Sequence, residues 1–161
     1  MCDISFDSPV RGTSEVPVRK ERDMKYMILT YASQQDYDGM AGQAGDQPAW
    51  SSADFTAMTA FMEAFNTELV EAGELVETRG LAAPVHTRRL GAQNGTPFVT
   101  DGPYAETQEV LAGYWIVECD SFDRATEIAG RLSACPAPEH VVANAYADVR
   151  PIMESAADIT D

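Results

Sequence analysis

Between Val99 and Glu109 the chain concentrates side chains suited to proton transfer and ligand capture, in the order Val99-Thr100-Asp101-Gly102-Pro103-Tyr104-Ala105-Glu106-Thr107-Gln108-Glu109. Gly102 precedes a proline, which confines it to extended or glycine-only backbone, and Pro103 fixes φ for a tight turn or a helix start. Asp101 therefore stands at a rigid corner, with Glu106 about one turn further on. Two readings of the corner stay open. In one, Asp101 is a turn cap that accepts backbone N–H groups two or three residues on. In the other, the corner presents Asp101 to a cleft, where burial would raise its pKa and let it act as general acid or base. On this second reading Asp101 is the catalytic candidate, and Tyr104, Glu106 and Thr107 are candidate ligand contacts.

Other reactive side chains are sparse. His86 and His140 are the two histidines, far apart and without HxxxH or HxxE spacing, so no protein-bound metal is expected. His86 falls on a predicted hairpin strand from which it could approach the Asp101 cleft; the competing reading is a solvated side chain. Cys2, Cys119 and Cys135 form no CxxC pair, and an odd number of widely spaced thiols suits a reducing compartment. Cys119 ends an apolar stretch, and Cys135 has no neighbouring base to activate it. No phosphate loop, GxSxG or dinucleotide fingerprint is present, so no cofactor is expected.

The elements that must position this segment follow from periodicity. Tyr26-Met27-Ile28-Leu29-Thr30-Tyr31 is rich in strand formers and almost without polarity, as in a central strand covered on both faces. Residues 33–50, a Gly/Gln/Asp/Pro stretch, read as a long loop. From Ser51 the period changes: Phe55, Met58, Met62, Phe65 and Leu69 recur at helical spacing. Ser51 and Asp54 form a capping box with a short acid and Gly73 supplies the stop, which predicts a helix over 52–72 whose stripe faces a core. Short strands are predicted at 74–79, 85–90, 96–100 and 113–119, with Asn94-Gly95 marking a hairpin turn. Asp120 or Ser121 caps a second helix ending before Pro136. Alternation from Val141 to Val149 predicts a last strand with Ala143, Ala145 and Ala147 on one face and Asn144, Tyr146, Asp148 and Arg150 on the other.

This order predicts a ferredoxin-like α+β sandwich, two helices on one side of an antiparallel sheet with an added hairpin. The second face of such a sheet is bare. Carrying Tyr31, Tyr114 or Trp115, and Tyr146, it is expected to be covered by an identical subunit, which makes a homodimer with a pocket between the sheets. Tyr31 and Tyr146 thereby join the candidate ligand contacts.

Length and charge bound the partners. The chain has 161 residues, 26 acidic against 11 basic, and a net charge of −15. That is one domain, and phosphate backbones and anionic membrane surfaces repel it. Neither a secretory h-region nor a run of about 18 apolar residues is present, so a cytoplasmic location without membrane insertion is expected. Residues 1–23 lack periodicity and read as a disordered leader with Met24 as a candidate start; the fold is expected over 24–152 and an acidic tail over 153–161.

The segment from Val99 to Glu109, continuing into Leu111-Ala112-Gly113-Tyr114, closely resembles the signature of the DGPF group of YCII-related proteins, with Tyr104 in place of Phe and Gln108 in place of Lys. Met24-Lys25-Tyr26-Met27-Ile28-Leu29 at the start, Gly80-Leu81 with Pro84, and Val149-Arg150-Pro151-Ile152 at the close extend the resemblance over about Met24 to Ile152. The resemblance implies a dimeric α+β barrel with an intersubunit cleft. It further implies either a small-molecule-binding or accessory role, linked in that group to extracytoplasmic-function sigma factors, or cofactor-free lyase or isomerase chemistry. The acid–base pair associated with YCII enzymes is His/Asp, which would require a histidine near Asp101.

Overall fold

The computed structural model describes residues 24–102 and 104–159. The predicted leader and Pro103 lie outside the described residues.

Four strands form an antiparallel sheet in the order β2-β5-β1-β6, namely β2 (Leu75–Gly80), β5 (Val110–Cys119), β1 (Met24–Ala32) and β6 (Ala147–Pro151). With α2 (Ser52–Glu71) between β1 and β2 and α3 (Phe122–Gly130) between β5 and β6, this is a ferredoxin-like α+β arrangement. Between β2 and β5 lies the added hairpin of β3 (Arg88–Gln93) and β4 (Thr96–Asp101), a separate two-stranded sheet. Its turn has Asn94 at φ 50° and Gly95 at φ 79°, the paired positive angles that Asn-Gly adopts readily and that match strand twist.

Register decides which side chains reach the core. Tyr26 pairs with Val117 and Ile28 with Trp115, and these four are buried with Phe65 and Leu69 of α2 and Ala125, Ile128 and Ala129 of α3. Trp115 is on this covered face, its Nε1 donating to Asn66 Oδ1 at 2.8 Å and its ring edge-on to Phe65. Tyr114 takes the opposite face, which settles the alternative between the two. Along α2 burial grows toward the C-terminal end: Phe55 is exposed, Met58 and Met62 are half-buried, Phe65 and Leu69 are buried. Gly73, at φ 71°, ends the helix, and Glu74 N–H reaches back to Leu69 C=O. The Glu74 carboxylate then takes two hydrogen bonds from Arg124, both 2.8 Å, which ties the helix exit to α3.

The structure corrects the sequence reading in three places. Residues 33–50 are not all loop, because α1 (Gln34–Met40) begins at a full capping box in which Ser33 and Asp36 satisfy each other's backbone N–H groups. Residues 85–90 begin with a 3-10 turn at Pro84–His86, and the strand starts only at Arg88. The alternation from Val141 does not make a strand until Ala147. Glu139–Val142 is a short helix, α4, that starts from Pro138, and Ala143 N–H closes on Glu139 C=O at 3.0 Å. Alternating alanines carry too little apolar area to favour sheet over a locally closed turn.

Candidate functional site

The hairpin and α1 set the geometry. Gly102 sits at φ 56°, within the glycine-only option, and donates its N–H to Thr87 C=O at 2.9 Å, closing the hairpin base. Asp101 accepts from Arg88 Nε at 2.8 Å with its side chain 70% exposed. Its partner is thus the cross-strand guanidinium of the Arg88–Asp101 register pair. With Val85, His86 and Thr87 this pair lines an open depression of about 470 Å³, so His86 and Asp101 share a wall. Tyr104 stacks instead on Arg89, whose Cζ lies 4.5 Å from the ring centroid.

The α1 capping box places that helix's first turn between two stretches. Gln34 Oε1 accepts from Val85 N–H at 2.8 Å, on the depression's side. Gln35 N–H donates to Glu106 C=O at 3.1 Å. Tyr37, further along, donates its hydroxyl to Leu81 C=O at 2.7 Å; burial raises its pKa. Beside α1 lies a more enclosed hollow of about 230 Å³, walled by Asp36 and Asp38 of α1, Asp46 and Trp50 of the following segment, Glu106 and His140. Trp50 N–H bonds to Gly39 C=O at 3.0 Å, and its ring rests on Gly39. The indole Nε1 is shut off from solvent and has no hydrogen-bond partner among the described residues.

A third grouping lies where β6 begins. Because Ala147 pairs with Thr30, Tyr146 falls next to Tyr31, and their rings stack at 5.2 Å. The Tyr31 hydroxyl donates to Asp148 at 2.8 Å, and this bond raises its pKa; Tyr146 is raised in the same way, chiefly by its bond to Glu109. Thr107 is exposed in the turn before β5.

The candidate residues therefore separate into three places. Asp101 and His86 line one, Glu106 and His140 line another, and Tyr31 stacks on Tyr146 in the third. The sequence reading missed Asp36, Asp38 and Trp50. The signal that would have found Asp36 is Ser33-x-x-Asp36, the same pattern it used at Ser51-x-x-Asp54. Burial raises the pKa of both Cys119 and Cys135, which disfavours the thiolate form. Among the described residues no group of His, Cys, Asp and Glu is arranged to hold a metal ion, and no helix is long and apolar enough to cross a membrane.

The fold and these hollows define an α+β protein of the ferredoxin-like class with clefts at the sheet's connecting segments. Residues 24–154 match the profile of the YCII-related domain, and the chain belongs to that family. It is also 34% identical over 85 residues, 53% of this chain and 68% of the relative, to an uncharacterized protein of Rhizobium meliloti (strain 1021).

Proposed function

We propose that this is a small-molecule-binding or accessory protein of the DGPF type, acting in the cytoplasm as a homodimer, with its ligand in the hollow beside α1. The observation that carries the reading is convergence: α1, the segment after it, the Glu106 turn and α4 supply Asp36, Trp50, Glu106 and His140 to one wall. Its volume of about 230 Å³ falls below the roughly 300–1,000 Å³ of pockets for drug-sized ligands, which suits a small metabolite. Tyr104 and Thr107 lie within two residues of Glu106 in sequence and are kept as candidate ligand contacts on that ground.

The uncovered sheet face supports the homodimer. Met27, Leu29, Tyr114 and Ile116 run across its centre, flanked by Glu77 and Arg79 on one side and Asp148 and Arg150 on the other. A twofold lets such a surface meet itself, apolar centre on apolar centre; the Tyr31–Tyr146 stack then borders an intersubunit cleft. Free Cys119 and Cys135 agree with a reducing compartment. A role beside extracytoplasmic-function sigma factors would run through a metabolite or protein contact, since a charge of −15 opposes contact with a phosphate backbone.

A second reading, proton transfer in a lyase or isomerase, is favoured by one further fact: each hollow has both a carboxylate and a histidine in its lining, Glu106 and His140 in one and Asp101 and His86 in the other. One experiment addresses both. The Trp50 indole N–H is followed by ¹⁵N–¹H NMR while small amines, carboxylic acids and phenols are titrated in. At least one compound is expected to move that signal saturably and leave Trp115 in place; no movement with any class overturns the binding site. For proton transfer, a bound compound must exchange C–H protons with D₂O or be converted, and failure of both refutes that reading. Light scattering at micromolar concentration checks the homodimer, which a monomer mass overturns.

A further inference from the structure

Resting on the homodimer proposed above, we infer that the β3–β4 hairpin is a docking arm that seats one of its faces on a second copy of this chain. Every residue of both strands is exposed, so the body of its own chain covers neither strand. The register pairs Leu90 with Val99 and Ala92 with Pro97, which sets four apolar side chains on one face. Leu90 is 69% and Val99 59% exposed. The opposite face is occupied from within: the Phe98 ring lies across Gly91, where an added Cβ would stand 2.7 Å from it, and Arg89 stacks on Tyr104. A two-stranded ribbon has little stability alone, and the apolar side of this one is left without cover.

The arm is anchored at its root. Tyr37 donates its hydroxyl to Leu81 C=O at 2.7 Å, Val85 N–H donates to Gln34 Oε1 at 2.8 Å and Gln35 N–H to Glu106 C=O at 3.1 Å, so α1 grips the chain on both sides of the arm. Such fixing lowers the ordering cost of docking. The same root adjoins the open sheet face, because Arg79 pairs with Tyr114 and Gly80 with Gly113 just before the chain leaves β2 for the arm. A second copy packed on that face therefore lies at the arm's foot. Charge favours the same occupant. Residues 88–101 carry two arginines against one aspartate, a net +1, whereas the rest of the chain carries −16, and a basic projection on an acidic protein is drawn to the body of another copy. A twofold repeats the contact, so each copy gives an arm and receives one.

The test uses the full chain at pH 7. With Leu90 replaced by the photoreactive p-benzoylphenylalanine, irradiation is expected to give a covalent dimer; with Thr100 replaced instead, on the arm's other face, it is expected to give none. Light scattering over a dilution series gives the dimer Kd. The combined variant Leu90→Ser, Val99→Ser is expected to raise that Kd at least about tenfold, while the ¹⁵N–¹H signal of the Trp115 indole, bonded to Asn66 in the core, stays in place and reports an intact fold. A parent dimer that gives no covalent product from Leu90, or a parent-like Kd in the combined variant, overturns the arm and leaves the sheet-to-sheet dimer standing. Equal cross-linking from Thr100 overturns the assignment of the docking face. A parent that stays monomeric throughout the series overturns the arm and the homodimer together.

Discussion

Replacing Gly102 by alanine asks whether the motif corner is held by backbone conformation or by lack of space. An added Cβ at Gly102 would find its nearest heavy atom, Val85 C=O, at 3.8 Å, an ordinary contact. The residue nevertheless sits at φ 56°, where a side chain costs about 1–2 kcal/mol. The penalty is therefore conformational. Its effect should stay local, because β3 and β4 form a sheet separate from the four-stranded one and an isolated two-stranded ribbon has little stability of its own. Native-state hydrogen exchange reads this directly. Gly102→Ala should raise exchange over residues 88–101 by about 5- to 30-fold, loosening the Arg88–Asp101 pair with it, while amides of β1 and β5 keep their protection. Asparagine tolerates this region of backbone, so Gly102→Asn should show a smaller increase. Exchange in the alanine variant within about twofold of the parent, or an equal rise in β5, would refute the conformational account.

Three further outcomes follow from the fold. Ser51→Ala removes the cap of α2 and should lower stability by about 1 kcal/mol at neutral pH, measured by urea denaturation. The Ser51 hydrogen bonds hold the Asp54 carboxyl below its usual pKa, so this contribution is present above the unfolded carboxyl's pKa and fades as the pH falls through the folded one; the gap between parent and variant should narrow in acid. Gly113→Ala places a Cβ 3.0 Å from the Arg79 carbonyl in the middle of the sheet, an overpacking that should cost about 1–3 kcal/mol and lower the melting temperature. Trp115→Phe leaves the Asn66 amide without its partner and should cost about 1–3 kcal/mol, with a stability equal to the parent's ruling out a native bond at that position.

Local chemistry is what the sequence carries most legibly. Ser51 and Asp54 mark the start of α2 and Gly73 its end; Asn94-Gly95 sets the hairpin turn; and Gly102 before Pro103 predicts a special backbone angle at the corner. Each of these is settled within a few residues by caps, steric limits and hydrogen bonds to near neighbours. The apolar stripe of α2 is legible too, yet only its C-terminal half is buried, since burial depends on where the sheet lies. The misreading of 141–146 has the same origin. Alternation is a weak signal when most of the alternating residues are alanine, and the local closure from Pro138 outweighs it.

By itself the sequence determined the order of the sheet strands and of the two longer helices, the family and the net negative charge, because propensity, capping and charge are properties of short stretches and of composition. Only the tertiary structure decided that Trp115 faces the helices and Tyr114 the open side, since strand register sets that choice. It also decided that Tyr146 stacks on Tyr31 and that Glu106, Trp50 and His140 share one wall. These residues lie tens of positions apart, and their meeting depends on the pairing of β1 with β6 and on the anchoring of α1 to both Val85 and Glu106. Contacts of that range are fixed by the packing of whole elements, which no local pattern along the chain records.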